Sequence, residues 1–189
     1  MGAMIEPKPL PDLLILRPME QQDVAAVLAV EQSAFETGWP ATAFQSELTQ
    51  NRMARYIVLE DNGKVIGFGG LWLMFDEAHV VTVAVRPECR RHGLGRLIVH
   101  GLLLVAQAHE MDVATLECRA SNLAARALYA RYGFYEVGIR PKYYADNGED
   151  AVIMTTESLS SAAYQQRLTG LAAELDLLLP GAQTLVVPA

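Results

Sequence analysis

RPECRRHGLGRL, residues 86–97, is the stretch that decides the fold. Arg90, Arg91 and Arg96 crowd two glycines set one residue apart, Gly93 and Gly95, and a long apolar run follows. Ahead of it, AHVVTVAV (78–85) is nearly all apolar or β-branched, the pattern of a strand buried on both faces. A strand, a basic turn, two glycines and a helix start bring bare N–H groups and the positive end of a helix dipole to one point. Glycine lets backbone approach a ligand closely, because no Cβ stands in the way. A nucleoside triphosphate loop would continue Gly-Lys-Ser/Thr, whereas Gly95 is followed by Arg96 and Leu97. A dinucleotide loop needs a third glycine, which Arg96-Leu97-Ile98 does not supply. A diphosphate held without an obligatory metal suits what remains. The competing reading is a basic surface turn with no ligand.

Working outward, LLILRPM (13–19) reads as a strand, and QQDVAAVLAVEQSAF (21–35) as a helix on the spacing of Val24, Val27, Leu28 and Phe35. Trp39-Pro40 punctuates the chain before a second helix to about Gln50. RYIVLEDNGKVIGFGGLWLM (55–74) is a hairpin, with Asn62-Gly63 supplying the positive φ angles of its turn. After the glycine loop a helix is expected from about Leu94 to Glu110, then the strand ATLECRAS (114–121) and the helix NLAARALYARY (122–132), ended by Gly133. YEVGIRPKYY (135–144) and DAVIMTT (150–156) pair across Asp146-Asn147-Gly148. The order β-α-α-β-β-β-loop-α-β-α-β-β predicts a mixed α/β sheet. Near the end, Leu168, Leu171, Leu175 and Leu178 mark one helix face, stopped by Pro180-Gly181. That face either packs back on its own domain or offers a surface for self-association or a partner.

The 189 residues fit one domain with an appendage, and 51% apolar against 20% charged residues predicts a proper core. A net charge of −7 argues against non-specific nucleic-acid binding and is compatible with a basic protein partner. Cys89 and Cys118 make no disulfide framework, which points to a reducing cytosol. No apolar run is long enough for a membrane span. The opening MGAMIEPKPLPDLL lacks the features of a secretory leader, and Glu6 stands where myristoylation after Gly2 wants Ser or Thr. The first few residues read as a cloning remnant.

LECRASNLAARALYARYGF (116–134) carries the chemistry. In an extended strand Glu117 points away from Leu116 and Cys118. Asn122 opens a helix, and Tyr129 lies two turns along the same face. A solvated strand acid and a core tyrosine are the bland alternatives. His79, His92, His100 and His109 have no metal-ligand spacing, so no metal is assigned. Cys118 reads as a buried inert thiol and Cys89 as exposed in the loop.

Arg90-Arg91-His92-Gly93-Leu94-Gly95 resembles the Arg/Gln-x-x-Gly-x-Gly/Ala loop of the GNAT N-acetyltransferases, with Arg90 where many relatives carry Gln. Val83-Ala84-Val85 looks like that family's central strand. The stretch from Leu116 resembles the bacterial ribosomal-protein-alanine acetyltransferases (RimI type), whose Leu-Glu-x-Arg-x-Ser-Asn continues to Ala-Leu-Tyr and Gly-Phe. The resemblance covers residues 13–157 and leaves 1–12 and a C-terminal helical extension, 158–189, outside. It implies the GNAT fold, a mostly antiparallel mixed sheet flanked by helices, here with an extra C-terminal helix. It implies acetyl-CoA as cosubstrate, held by Val83, Ala84 and Val85, by Arg90 to Arg96 (His92, Gly93, Leu94 and Gly95 among them), and by Asn122. Glu117 would be the general base and Tyr129 the general acid. Phe35, Trp39 and Tyr143 would line the acceptor side, with Trp39 and Tyr143 equally readable as partly core.

Those roles make chemical sense. An α-amine with a pKa of about 7.7–8.0 is largely protonated at neutral pH, and a carboxylate in reach can remove that proton. A backbone N–H near Val85 could stabilise the oxyanion, and a phenol could protonate the leaving thiolate. The expectation is acetyl transfer to a protein N-terminus, the N-terminal alanine of a small-subunit ribosomal protein, in the cytoplasm. Several N-termini or lysine side chains remain open as acceptors. A non-catalytic CoA-binding module acting through the C-terminal helix also remains open, although the intact Glu117, Asn122 and Tyr129 set argues against it. An RNA-binding reading of Arg86, Arg90, Arg91 and Arg96 suffers from the acidic balance and the lack of aromatic stacking platforms.

Overall fold

The structure is a computed structural model that describes residues 13–35 and 38–186. The expected N-terminal extension, 1–12, lies outside the described residues. The elements run β1 (Leu14–Pro18), α1 (Val24–Ala34), α2 (Ala41–Thr49), β2 (Ala54–Asp61), β3 (Lys64–Met74), β4 (Glu77–Val85), α3 (Leu94–Ala108), β5 (Val113–Arg119), α4 (Leu123–Arg131), β6 (Tyr135–Tyr144), β7 (Glu149–Thr155), α5 (Ala162–Leu178) and β8 (Gln183–Thr184). The strands form one sheet in the order β6-β7-β5-β4-β3-β2-β1-β8. Neighbours are antiparallel except β4 with β5 and β1 with β8. The β2–β3 hairpin turns at Asn62 (φ 50°) and Gly63 (φ 78°), the left-handed pair a two-residue turn requires.

A core lies on each face of the sheet. On one face, Leu97, Ile98 and Leu102 of α3 pack with Leu168, Leu171 and Leu175 of α5 and with Leu116 and Cys118 of β5. On the other, Val27 and Val30 of α1 and Phe44 of α2 pack on Tyr56, Val58 and Phe68. The strand buried on both faces is β3, not β4: Val65 to Leu71 are all buried, whereas Val81, Thr82 and Val83 of β4 are half-buried. The reason is geometric. β5 pairs with β4 only from Glu77–Val113 to Val80–Leu116, so beyond Val80 the flank of β4 loses its neighbour.

The first helix also starts later than its apolar spacing suggests. Gln21–Asp23 form a tight 3₁₀ turn, and the Asp23 carboxylate is buried against the Arg17 guanidinium at 2.7 and 2.8 Å. At the far end, α5 spends its apolar face inside the chain, with Leu168, Leu171 and Leu175 buried. A leucine fully buried this way is worth about 1.5–3 kcal/mol. Tyr164 of α5 donates its hydroxyl to the Tyr132 carbonyl (2.7 Å), and Tyr132 donates to the Arg96 carbonyl (2.8 Å), so α5, the end of α4 and the start of α3 are tied in series. The two-residue β8 then pairs beside β1, an addition with no signature in the sequence pattern. Among the described residues no helix is long and apolar enough to cross a membrane.

Candidate functional site

The parting of β4 and β5 makes the cleft. A bulge in β4 opposite Gly70–Leu71 sets Val81 out of register and reverses which side chains face which core. Ala78 and Val80 therefore belong to the α3 side, whereas Ala84 belongs to the α1 side. Among the described residues, the edge of β4 toward β5 carries no ladder partner from Thr82 to Val85, which leaves backbone groups of the predicted Val83-Ala84-Val85 segment, the Val85 carbonyl apart, open to a ligand.

The glycine loop sits at the mouth of that opening. Pro87–Cys89 make a 3₁₀ turn, Arg91 and Gly93 take φ of 67° and 82°, and α3 begins at Leu94 with no side-chain cap. Among the described residues, the backbone N–H groups of residues 91–96 meet no acceptor; the next, that of Leu97, bonds the Gly93 carbonyl at 3.1 Å. Uncapped N–H groups at a helix start form an anion site. The positive φ of Gly93 suits glycine. The residues present therefore fit a diphosphate, but chiefly through backbone.

The arginines are less free than expected. Arg90 donates to the carbonyls of Val85 (3.1 Å) and Ala34 (3.5 Å), which ties the loop to α1. Arg96 turns to α5 and pairs with Glu174 at 2.8 Å. Arg91 is exposed, and His92 reaches the Cys89 carbonyl at 3.3 Å. Leu94 is buried, so it can offer a ligand only its backbone. Cys89, expected to be exposed, is buried under the 3₁₀ turn. Asn122 caps α4 by accepting from the Ala125 N–H at 3.1 Å, which occupies its carbonyl oxygen.

Glu117 lies deep on the α1 side of β5, its side chain 9% exposed. Its Oε2 meets Nε2 of His79 at 3.0 Å and its Oε1 meets Arg140 at 3.1 Å. The contact with His79 and the positive charge of Arg140 hold its carboxyl below the usual carboxylate range against the opposing effect of burial. Tyr129 approaches from the α3 side: it is half-buried, packs edge-on against Phe134 at 5.7 Å, and lies close to Cys118 and Tyr144. Burial pushes its phenol above the usual range, so it stays protonated. The same cause raises the Cys118 thiol to about 11, as an inert buried thiol requires. The acid and the phenol thus stand on opposite faces of the sheet, with the β4–β5 gap between them.

Around the acceptor side, Phe35 ends α1 and is exposed, whereas Trp39 packs its ring against Phe44 at 5.4 Å and donates its backbone N–H to the Glu31 carboxylate at 3.3 Å. Tyr143 is exposed and edge-on to Tyr144 at 5.2 Å. Tyr144 is the one turned toward Cys118 and Glu117, under the Arg119 guanidinium at 3.9 Å. Sequence reasoning missed Tyr144 and His79, whose placement follows from the register shift in β6 and the β4–β5 pairing.

The Acetyltransferase (GNAT) family model matches residues 24–134. A Bacillus subtilis protein named for alanine N-acetylation of ribosomal protein bS18 is 36% identical over 139 residues, covering 74% of this chain and 92% of its own. The bS18-alanine N-acetyltransferase of Escherichia coli K12 is 38% identical over 140 residues, covering 72% and 92%. The crystal structure of the Escherichia coli ribosomal-protein-S18-alanine N-acetyltransferase superposes with a TM-score of 0.72 at 35% identity, covering 79% of this chain and 96% of that one.

Proposed function

From a chain that belongs to the GNAT acetyltransferase family, we infer an enzyme that moves an acetyl group from acetyl-CoA to the N-terminal α-amine of a protein, the N-terminal alanine of ribosomal protein bS18. The observation that carries this reading is identity of 36–38% with two alanine N-acetyltransferases across 92% of their length. We place the reaction in the cytoplasm.

In this reading the uncapped N–H groups of residues 91–96 grip the diphosphate, and the open edge of β4 aligns the arm that follows. Bound acetyl-CoA supplies the thioester carbonyl that the amine attacks. Glu117 faces the acceptor and receives the amine proton on a carboxylate oxygen. Tyr129, kept protonated by burial, supplies a proton from Oη to the departing sulfur. Phe35, Trp39 and Tyr143, joined by Tyr144, shape the acceptor side, and Asn122 fixes the start of α4.

Ionisation favours an α-amine over lysine. At about pH 7 an α-amine of pKa about 7.7–8.0 is about 10–17% free, and a lysine of pKa about 10.4 only about 0.04%. The test is incubation with acetyl-CoA and peptides beginning Ala, Ser or Met, beside an internal-lysine control, with the modified nitrogen mapped by mass spectrometry. Modification of the Ala-peptide α-amine is expected; exclusive lysine modification, or none, refutes the reading.

A further inference from the structure

Glu117 does not stand alone. His79 and Thr115 are register partners across β4 and β5, and Glu117 lies two residues on from Thr115, on the same face. His79 places Nδ1 at 2.9 Å from the Thr115 hydroxyl and Nε2 at 3.0 Å from Glu117. Thr115 in turn donates to Glu77 in a very short hydrogen bond. Exposure rises along this line: 9% for the Glu117 side chain, 21% for His79 and 38% for Glu77. Among the described residues, the ring also faces Trp72 of β3, at 6.5 Å and itself bonded to Glu47 of α2 (2.6 Å), while Arg140 of β6 pairs with Glu117 and lies over the Tyr143 ring at 5.7 Å.

Counting protons gives this row a direction. Thr115 has one hydroxyl proton and spends it on Glu77, so Nδ1 of His79 must be the donor in their contact. That leaves Nε2 facing the Glu117 carboxylate. Without a further proton, a lone pair opposes an anion; with one, the contact is a hydrogen bond whichever atom carries it. The pair therefore has room for one more proton, and the reaction must dispose of one. We propose that His79 is the proton-holding partner of Glu117: the amine proton collected by the carboxylate settles on Nε2, and the imidazolium is held between Glu117 and the Thr115–Glu77 pair.

The ammonium gives up two protons on becoming an amide. The first leaves before the attack, its electron pair staying on nitrogen, and ends on His79, which returns it to water at its exposed edge; the second, lost as the amide forms, replaces through solvent the proton that Tyr129 gives to sulfur. A carboxylate held ionised by Arg140 is by itself a weak base for an ammonium. His79, whose Nε2 meets Glu117 at 3.0 Å and whose side chain is more exposed than the carboxylate, gives that proton a second resting place on the way to water. His79 acts through Glu117 and is a positioning residue. The proposal rests on the acetyl-transfer reading above.

The test compares wild type with His79→Gln, which can still hydrogen-bond Glu117 but cannot hold the proton, and with Thr115→Val. Rates with an Ala-starting peptide are followed from about pH 6 to 9, together with KM for acetyl-CoA. His79→Gln should lose about 10–100-fold in kcat/KM near neutral pH, less than the 10²–10⁴ of a full general base, with the deficit shrinking at high pH and KM for acetyl-CoA unmoved. Thr115→Val should lose less and shift the acidic limb of the profile. Activity of His79→Gln within twofold of wild type at every pH overturns the proposal, as does a pH-independent loss. Inactive wild type would sink the functional reading instead. The proton store is then decided by ¹⁵N spectra of the His79 ring, assigned by their loss in His79→Gln: a proton signal at Nε2 that changes in Glu117→Gln supports it, and identical spectra refute it.

Discussion

Glu117→Gln keeps the shape of the candidate base and removes its charge. The glutamine amide can offer its oxygen to Arg140 and its N–H to the Nε2 lone pair of His79, where the carboxylate met them at 3.1 and 3.0 Å, so both contacts survive and the charge is lost. Two losses then combine. If the carboxylate only deprotonated the amine beforehand, the free fraction of about 10–17% at neutral pH would limit the defect to about 6–10-fold. Holding the amine in line while taking its proton should add a further factor of about ten or more, within the 10²–10⁴ of general-base catalysis. The expected loss in kcat/KM is about 10²–10³ near pH 7, or roughly 3–4 kcal/mol, with about one order of magnitude regained near pH 9 as the amine loses its proton unaided. Initial rates of CoA-thiol release at subsaturating Ala-starting peptide measure it. A loss below about threefold at neutral pH, or a larger one that ignores pH, refutes the assignment of Glu117 as base.

Tyr129→Phe should reduce kcat while leaving acetyl-CoA affinity, read by calorimetry, within about twofold; a matching collapse of affinity would mark the hydroxyl as structural. Arg17→Met strips both Asp23 and Glu60 of their cation and leaves the buried Asp23 charge unpaired. The cost is about 3 kcal/mol, seen as a fall in Tm of roughly 6–12 °C at neutral pH. The Arg17 hydrogen bond lowers the Asp23 pKa, so this stabilisation is present above the ordinary carboxylate value of about 3.9 and fades as pH falls through the lower folded one. The gap in Tm between wild type and Arg17→Met should therefore close in acid; a gap that widens contradicts the assignment. Leu175→Ala should cost about 2–5 kcal/mol in chemical denaturation, because α5 is seated in the core, and a change under about 0.5 kcal/mol would contradict that seating.

Local chemistry made most of this fold legible from sequence. The Asn62-Gly63 turn, the alternation around Glu117 and the strand–glycine–helix passage at Gly93 each depend on neighbours within a few residues, and each lies where the spacing puts it. What escaped depends on register between distant strands. His79 was weighed only as a metal ligand, since its partners Thr115 and Glu117 are remote in the chain and meet it through β4–β5 pairing. Tyr144 could not be told from Tyr143 without the register shift in β6 between Arg140 and Tyr144. The arginines of the loop advertised charge, yet the directions of Arg90 and Arg96 were set by Ala34 and Glu174, far off in sequence. β8, two residues long, offers no periodicity to detect.

A side chain built on Gly93 would meet the Leu178 side chain of α5, and Arg96 is leashed to Glu174 on the same helix. The anion loop and the tail are thus in direct contact. Coupling between two such parts is reciprocal, so if a ligand at the loop tightens these contacts it also quiets the tail, by the same free energy. Amide-exchange protection along α5 then becomes a distant gauge of coenzyme occupancy, legible without turnover.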